Sequence, residues 1–363
     1  MSGTITKRDG LVMDIDKNIL KEKISLFIDK SKTLEDVKET LGVRNTMIKV
    51  GGKMKAEFDV AVAIKRLRNE VIMLQDKTSG TVDEVLDSYI KTLYYRPFDV
   101  RYLFFSDHVV ARTRISLGSD KIGDNYCLCF PRSPKKNEYT SILVSKGIIS
   151  NKFADSTETS HMYPIKLNKD GDNKIQVELG ASGHIPLNDY NYKSDFKNKI
   201  IEMYGNDVLG EDIFSYIYAI LFSNQYRRVF LDQLKFDYPK IPFFDKKTFR
   251  MLAKLGHELI KYHTFELKHR IGEFHGKRWS VDNGFPKLEA GKIKINNNAY
   301  FENIPNNVYR FDVGGRKVLV DLLKKRGCEG YGNVQRFCET AGAIQKTLEI
   351  QEKIDKIVKT KIQ

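Results

Sequence analysis

Glu211-Asp-Ile-Phe-Ser-Tyr-Ile-Tyr-Ala-Ile-Leu-Phe-Ser-Asn-Gln-Tyr-Arg-Arg228 is followed by Phe236-Asp-Tyr-Pro-Lys-Ile-Pro-Phe-Phe-Asp245 and then by Thr248-Phe-Arg-Met-Leu-Ala-Lys-Leu-Gly-His-Glu-Leu-Ile-Lys-Tyr-His-Thr-Phe265. From Ile213 to Phe222 the residues are apolar or aromatic on nearly every side, the pattern of a helix enclosed by other elements. Past Asp245, which suits an N-cap, Phe249, Leu252, Leu255, Leu259 and His263 recur at spacings of three and four, so a second helix carries one buried stripe and packs on the first. Pro239 and Pro242 fix their own φ and push the residues before them out of helical space. The linker from Asp237 to Phe243 is therefore expected to be extended and stiff.

Working outward, the first ninety residues read mostly as helix. Asp16 can cap a segment whose Ile19, Leu20, Ile24, Phe27 and Ile28 share a face, Asp59 can cap another bearing Val60, Ile64, Leu67 and Val71, and Gly51-Gly52 marks a turn between them. From Leu93 to about Leu187 the texture changes to short strands: Leu93-Tyr-Tyr95, Val100 to Phe105, Tyr126 to Phe130 and Ser141 to Val144, separated by charged or Gly/Asn-bearing turns. Asp99 and Arg101 sit two apart on one strand face and are expected to form a mutual ion pair or a hydrogen-bonded corner. Gly314-Gly315 permits a turn before a helix over Lys317 to Lys325, and Ala343 to Val358 is amphipathic. His257, His263, His269 and His275 recur every six residues, a rotation of about 240° on a helix, so they share no face.

The chain has 363 residues, 61 lysines and arginines against 47 acids, and a formal charge of +14. That length allows two or three domains, and the basic balance favours a polyanionic partner, since each cation that neutralises a phosphate releases condensed counterions. No apolar run approaches the roughly 20 residues that span a bilayer, and the start of the chain lacks an apolar signal stretch, so a cytoplasmic location is expected. Cys127-Leu-Cys129, Cys328 and Cys338 lack the spacing of a zinc site and are expected to be reduced, buried thiols.

Cations gather in the strand-rich region as Arg112, Arg114, Lys121, Arg132, Lys135, Lys136 and Lys152, with Asn151, Tyr126 and Tyr139 interleaved. Lysine and arginine on phosphates place a protein on DNA, and forked arginine or asparagine groups discriminate base edges. A solvated loop is the other reading of such a run. Arg278 beside Trp279, the lone tryptophan, suits backbone contact with stacking, although a lone tryptophan is more often a core anchor.

The helix–linker–helix segment, together with Tyr95-Arg-Pro-Phe-Asp-Val-Arg-Tyr-Leu-Phe-Phe105, Tyr309-Arg-Phe-Asp-Val-Gly-Gly-Arg-Lys-Val-Leu319 and Ile5-Thr-Lys-Arg-Asp-Gly-Leu-Val-Met-Asp-Ile-Asp16, resembles the C-terminal specificity region of type ISP restriction-modification enzymes and related adenine methyltransferase fusions. The resemblance covers nearly the whole chain, with gaps at Gly123 to Asn151 and Tyr262 to Asn297. It implies an α+β fold in which a β-rich DNA-reading lobe is held on a mainly helical scaffold: a helical linker and docking region over 1–92, the lobe over 93–195, and the scaffold over 196–363. It further implies sequence-specific recognition of double-stranded DNA, with Arg112, Arg114, Lys121, Arg132, Lys135, Lys136, Asn151 and Lys152 as contacts and Arg278 and Trp279 as a secondary one. The partner implied is a methyltransferase and nuclease portion, fused or separate, and S-adenosylmethionine is expected there rather than in this chain.

The chain carries no N/D-P-P-Y/F/W tetrapeptide for a flipped adenine, no glycine-rich strand-to-helix turn for S-adenosylmethionine and no Walker motif. Glu266-Leu-Lys268 offers a three-residue match to a magnesium-dependent nuclease, which stands as an alternative function alongside a protein-interaction scaffold whose basicity is incidental. The reading is a recognition module without its own catalysis.

Overall fold

The structure, a computed structural model, describes residues 2–113, 125–132, 139–166, 187, 190–277, 279–324 and 331–362. The fold is mixed α+β: helices dominate, and several small sheets of two to four strands are set among them.

The two helices on either side of the proline-bearing linker form the centre. Gly210–Phe222 is buried almost throughout, and Lys246–His263 packs along it with Phe249, Leu252, Leu259 and His263 buried. The Asp245 carboxylate accepts from the Thr248 amide, fixing where the second helix starts. The crossing is close because Gly256 faces Ser215: a Cβ at Gly256 would stand 1.9 Å from the Ser215 carbonyl oxygen. The linker is extended as expected, and tyrosines hold it. The Tyr204, Tyr216 and Tyr226 hydroxyls donate to the carbonyls of Phe244, Pro242 and Lys240 at 2.9, 2.6 and 2.8 Å, satisfying backbone groups that neither helix nor sheet would pair.

The helix Tyr331–Lys359, longer than the amphipathic stretch read from sequence, crosses both. Gln351 donates to the Phe222 carbonyl at 2.8 Å, and the Asp355 carboxylate receives the Ser223 hydroxyl at 2.6 Å and the Gln225 amide at 3.2 Å, so this helix caps the end of Gly210–Phe222. His263 links all three helices. Its Nδ1 lies 2.6 Å from the Tyr218 hydroxyl and its Nε2 2.9 Å from Thr347 Oγ1. Because the Thr347 hydroxyl donates to the Ala343 carbonyl, its oxygen accepts from His263 Nε2–H, which leaves Nδ1 to accept from Tyr218: a neutral imidazole.

Burial, together with the Arg227 charge, depresses the His263 pKa to about 3. An unfolded histidine titrates near 6.5, so the unfolded chain binds a proton that the folded chain refuses. The stability His263 contributes is complete above pH 6.5 and is lost as pH falls from 6.5 toward 3, with about 2 kcal/mol gone at pH 5. Urea melts at pH 7.5 and 5.0 check this, and the pH-dependent difference should shrink by that amount in His263→Gln; an unchanged difference would exclude a buried neutral imidazole.

The strands surround this centre. Ile90–Arg96 and Asp99–Phe104 form an antiparallel hairpin, which Met13–Asp14 extends on one side and Ile148–Ile149 on the other. A second sheet has Cys127–Pro131 between Leu143–Ser145 and Ser160–Pro164. A third lies where the sequence suggested only helical scaffold: Glu273–His275, Tyr300–Glu302, Lys292–Lys294 and Lys287–Glu289 pair in that order. Strands of three residues with one central apolar side chain each carry too little periodicity to be read from sequence.

The cores also cross the expected boundaries at 93 and 196. One joins Tyr94, Phe98 and Cys129 to Phe301, Phe337 and Ile344; another joins Phe130 and Val144 to the central helix pair; a third runs from Leu11 to Val110. Among the described residues, the buried apolar side chains of 93–195 belong to these shared cores. Asp16 and Asp59 cap their helices as read, and Gly51-Gly52 makes the expected turn between them, within a β-hairpin of Thr46–Val50 with Lys53–Phe58.

Candidate nucleic-acid interface

The hairpin tip at Pro97-Phe98 fixes the strand-rich region on the scaffold. Phe98 takes a positive φ of 58°, which projects its ring edge-on against His263, Phe265 and Phe311, at centroid distances of 4.9, 6.3 and 6.0 Å. Asp99 is buried next to it. Arg101 clasps it from two residues away, Nε to Oδ1 at 2.9 Å and Nη2 to Oδ2 at 3.0 Å, and Arg336 of the long C-terminal helix reaches Oδ1 at 2.6 Å. The expected Asp99–Arg101 pair is thus part of a three-residue clamp. Arg96 donates to the Tyr95 carbonyl and the Ser150 hydroxyl at 2.8 and 2.6 Å, tying the hairpin to the loop that bears Asn151 and Lys152.

That loop is gripped from several sides. Asn151 exchanges backbone hydrogen bonds with Thr4 and Ser160 at 2.9 and 2.8 Å, and the buried Asp155 carboxylate accepts from the Ser141 hydroxyl and the Thr157 and Glu158 amides. Gly314, at φ +56°, passes so near that a Cβ would meet the Ala154 oxygen at 2.2 Å, which accounts for the Gly314-Gly315 pair. The Lys152 ammonium donates to the Thr157 carbonyl within this loop, and the Asn151 side chain is half-buried.

Arg112 is exposed while its backbone is fixed: it pairs with Ile5 through bonds of 3.0 and 3.1 Å, and Thr4 Oγ1 donates to the Thr113 carbonyl at 3.2 Å. Arg132 is exposed at the end of Cys127–Pro131. Of the expected contacts, Arg112 has its backbone paired, Asn151 and Lys152 lie in a gripped loop, and Arg132 directly follows a paired strand. Arg114, Lys121, Lys135, Lys136 and Arg278 lie outside the described residues. Tyr139 is buried in the core, and Tyr126 donates its hydroxyl to Glu266 at 2.7 Å.

Two expectations are corrected. Trp279 is 8% exposed and packs with Phe274, Phe301 and Phe337 at 6.0, 5.4 and 6.0 Å, so its ring belongs to the core and not to a stacking surface. Glu266 and Lys268, the match to a magnesium-dependent nuclease, lie beyond the end of the helix at His263 and serve different partners: Glu266 receives Tyr126 and Thr264, and Lys268 lies 3.6 Å from Glu339. Among the described residues neither belongs to a metal-holding cluster; the grouping found is Glu273, His275 and Glu302, where His275 is 2.7 Å and Lys292 3.6 Å from Glu302. Cys127, Cys129 and Cys338 are free and buried, and burial pushes the Cys129 thiol up to about 12. No described helix is long and apolar enough to cross a membrane.

No curated protein matches this sequence. Solved structures do. A DrdV–DNA complex matches with a TM-score of 0.59 and 19% identity over 99% of this chain and 35% of the other. The ATP-dependent type ISP restriction-modification enzyme LlaBIII bound to DNA matches with a TM-score of 0.59 and 17% identity over 97% and 23%. A nuclease-deletion mutant of the type ISP enzyme LlaGI in complex with a DNA substrate mimic matches with a TM-score of 0.57 and 18% identity over 97% and 27%. This chain therefore spans about a quarter to a third of the length of those proteins and shares their fold over that part. The model of the type ISP C-terminal specificity domain matches residues 1–356, nearly the whole chain, and the chain belongs to that family.

Proposed function

We propose that this chain recognises a specific sequence in double-stranded DNA, as the specificity module of a restriction-modification system, and directs an adenine-N6 methyltransferase and nuclease that lie outside it. The observation that carries this reading is the family match over residues 1–356. The DNA-bound state of the three similar proteins and the charge of +14 support it. In this reading the chain contributes binding and no catalytic group. Exposed Arg112, whose backbone is paired with Ile5, and Arg132, directly after the strand Cys127–Pro131, meet the duplex with little ordering cost, because the main chain at or beside them is already fixed.

Selection from a randomised duplex pool by the purified chain, at about 0.15 M salt to hold down nonspecific binding, tests the reading. A recovered consensus is the expected result. Absence of any preference, both alone and with the methyltransferase portion added, would leave an interaction scaffold instead. On the selected site, Arg112→Ala is expected to lose about 1–3 kcal/mol on cognate DNA and much less on random duplex, as a lost base contact does. Lys135→Glu with Lys136→Glu should weaken both equally and shallow the salt slope by about 2, the mark of two phosphate contacts. Equal losses on both duplexes for Arg112→Ala would make it a positioning residue.

A further inference from the structure

The hairpin Thr46–Val50 with Lys53–Phe58 is exposed at every residue from Arg44 to Ala56, and Met47, Ile48, Val50 and Met54 are 52, 38, 46 and 60% exposed. A two-stranded ribbon with nothing packed on it is marginal in water, and apolar side chains on its surface add to that cost. Its register defines two faces. Ile48 opposes Lys55 and Val50 opposes Lys53 on one; Met47 opposes Ala56 and Lys49 opposes Met54 on the other. Each face therefore mixes apolar side chains with lysine. Lys49, Lys53 and Lys55 have no ion-pair partner among the described residues, and the one acid of the ribbon, Glu57 at its base, is neutralised by Lys7.

The base is firmly held. Phe58 is buried under the Arg8 guanidinium at 3.9 Å, and the Val60 amide donates to Asn45 at 2.9 Å. The same N-terminal segment that supplies Lys7 and Arg8 pairs through Ile5 with Arg112, so the ribbon leaves the molecule from the edge that presents Arg112.

We propose that this hairpin is a second DNA-binding arm that enters a groove of the duplex next to the part read by the strand-rich region. The inference rests on the DNA-binding reading above. The major groove, about 12 Å wide, admits a two-stranded ribbon, and its two walls are rows of phosphate. A ribbon with lysine on both faces meets both walls, while its methyl and thioether groups contact base edges and thymine methyls on the floor. A flat protein surface would cover one face and leave the apolar residues of the other in water, so the groove is the better match.

The test is a salt titration and hydroxyl-radical footprint of the full chain on its selected duplex, with wild type, Lys49→Gln/Lys53→Gln/Lys55→Gln, and a variant whose strands are shortened between Met47 and Ala56. All the altered side chains are exposed, so folding is preserved and is checked by melting. Loss of three phosphate contacts is expected to reduce the salt slope by about 3, weaken binding about 100-fold at 0.15 M salt, and remove one contiguous patch of protection in both variants. A wild-type slope and footprint in both variants would overturn the arm while leaving DNA recognition intact. Unchanged DNA binding with lost affinity for the methyltransferase portion would also overturn it, and would make the ribbon a protein contact. A wild-type chain that protects no duplex would overturn the DNA reading itself, and the arm with it.

Discussion

Gly256→Ala is expected to destabilise the fold by about 2 kcal/mol or more, although alanine is the better helix former by about 1 kcal/mol. The added Cβ would stand 1.9 Å from the Ser215 carbonyl oxygen, 2.7 Å from its carbon and 3.2 Å from the Ala219 methyl. Two of these are backbone atoms of a helix buried on nearly every side, which cannot rotate away as a side chain would. The helices Gly210–Phe222 and Lys246–His263 must therefore separate by more than about 1 Å, opening the contacts of Phe249 with Tyr204 and Tyr216, now at 4.1 and 4.9 Å, and stretching the Tyr218–His263–Thr347 chain. Gly10→Ala provides the opposite sign: nothing lies within 4 Å of its Cβ position and its φ is not in the left-handed region, so that change should be neutral or mildly stabilising. Urea midpoints of the two variants measure the contrast, and a Gly256→Ala protein as stable as Gly10→Ala would show that the crossing relaxes freely.

Gly256 also marks where sequence reading runs out. Asp16, Asp59 and Asp245 were legible as caps, and Phe249 to His263 as a stripe, because a cap and a helical face are set by neighbours within a turn or two. A glycine inside a helical pattern reads only as a propensity cost, since the atom that requires it is on another helix. The linker tyrosines, the Asp355 cap and Arg336 on Asp99 are invisible for the same reason: their partners are 14 to 237 residues away. The ribbon at Thr46–Phe58 escaped because each of its faces mixes apolar residues with lysine, which is what an element exposed on both faces looks like. Of the interface, the chain's order of motifs and its charge were legible, and so was the exposure of Arg112 and Arg132. Trp279 was the ambiguous residue, and its rings of neighbours, Phe274, Phe301 and Phe337, come from two sheet strands and the long helix, so no local pattern could assign it.

Asp99→Ala is expected to cost about 3–5 kcal/mol, because it removes the carboxylate from two guanidiniums that are themselves largely buried. The residue receives Arg101 from its own strand and Arg336 from the C-terminal helix, and Arg336 also donates to the Val100 carbonyl at 2.6 Å. The clamp therefore does two things at once: it neutralises charge within the turn and it bolts the strand-rich region to the helix that caps the central pair. A double-mutant cycle separates them. Asp99→Ala and Arg336→Ala should couple by about 1.5 kcal/mol or more, as buried charge partners do, while Asp99→Ala with Lys353→Ala, exposed toward the end of the same helix, should be additive. Additive losses for the first pair would mean that Arg336 is held by Val100 alone. On the DNA side, the clamp predicts a particular defect: with Phe98 and Asp99 no longer seating the hairpin, the loop of Asn151 and Lys152, tied to it through Arg96 and Ser150, loses its fixed position relative to Arg112. Cognate binding should then fall more than random-duplex binding in Asp99→Ala protein that is still folded at low temperature, since placing several contacts in register is what a rigid reading surface contributes beyond charge.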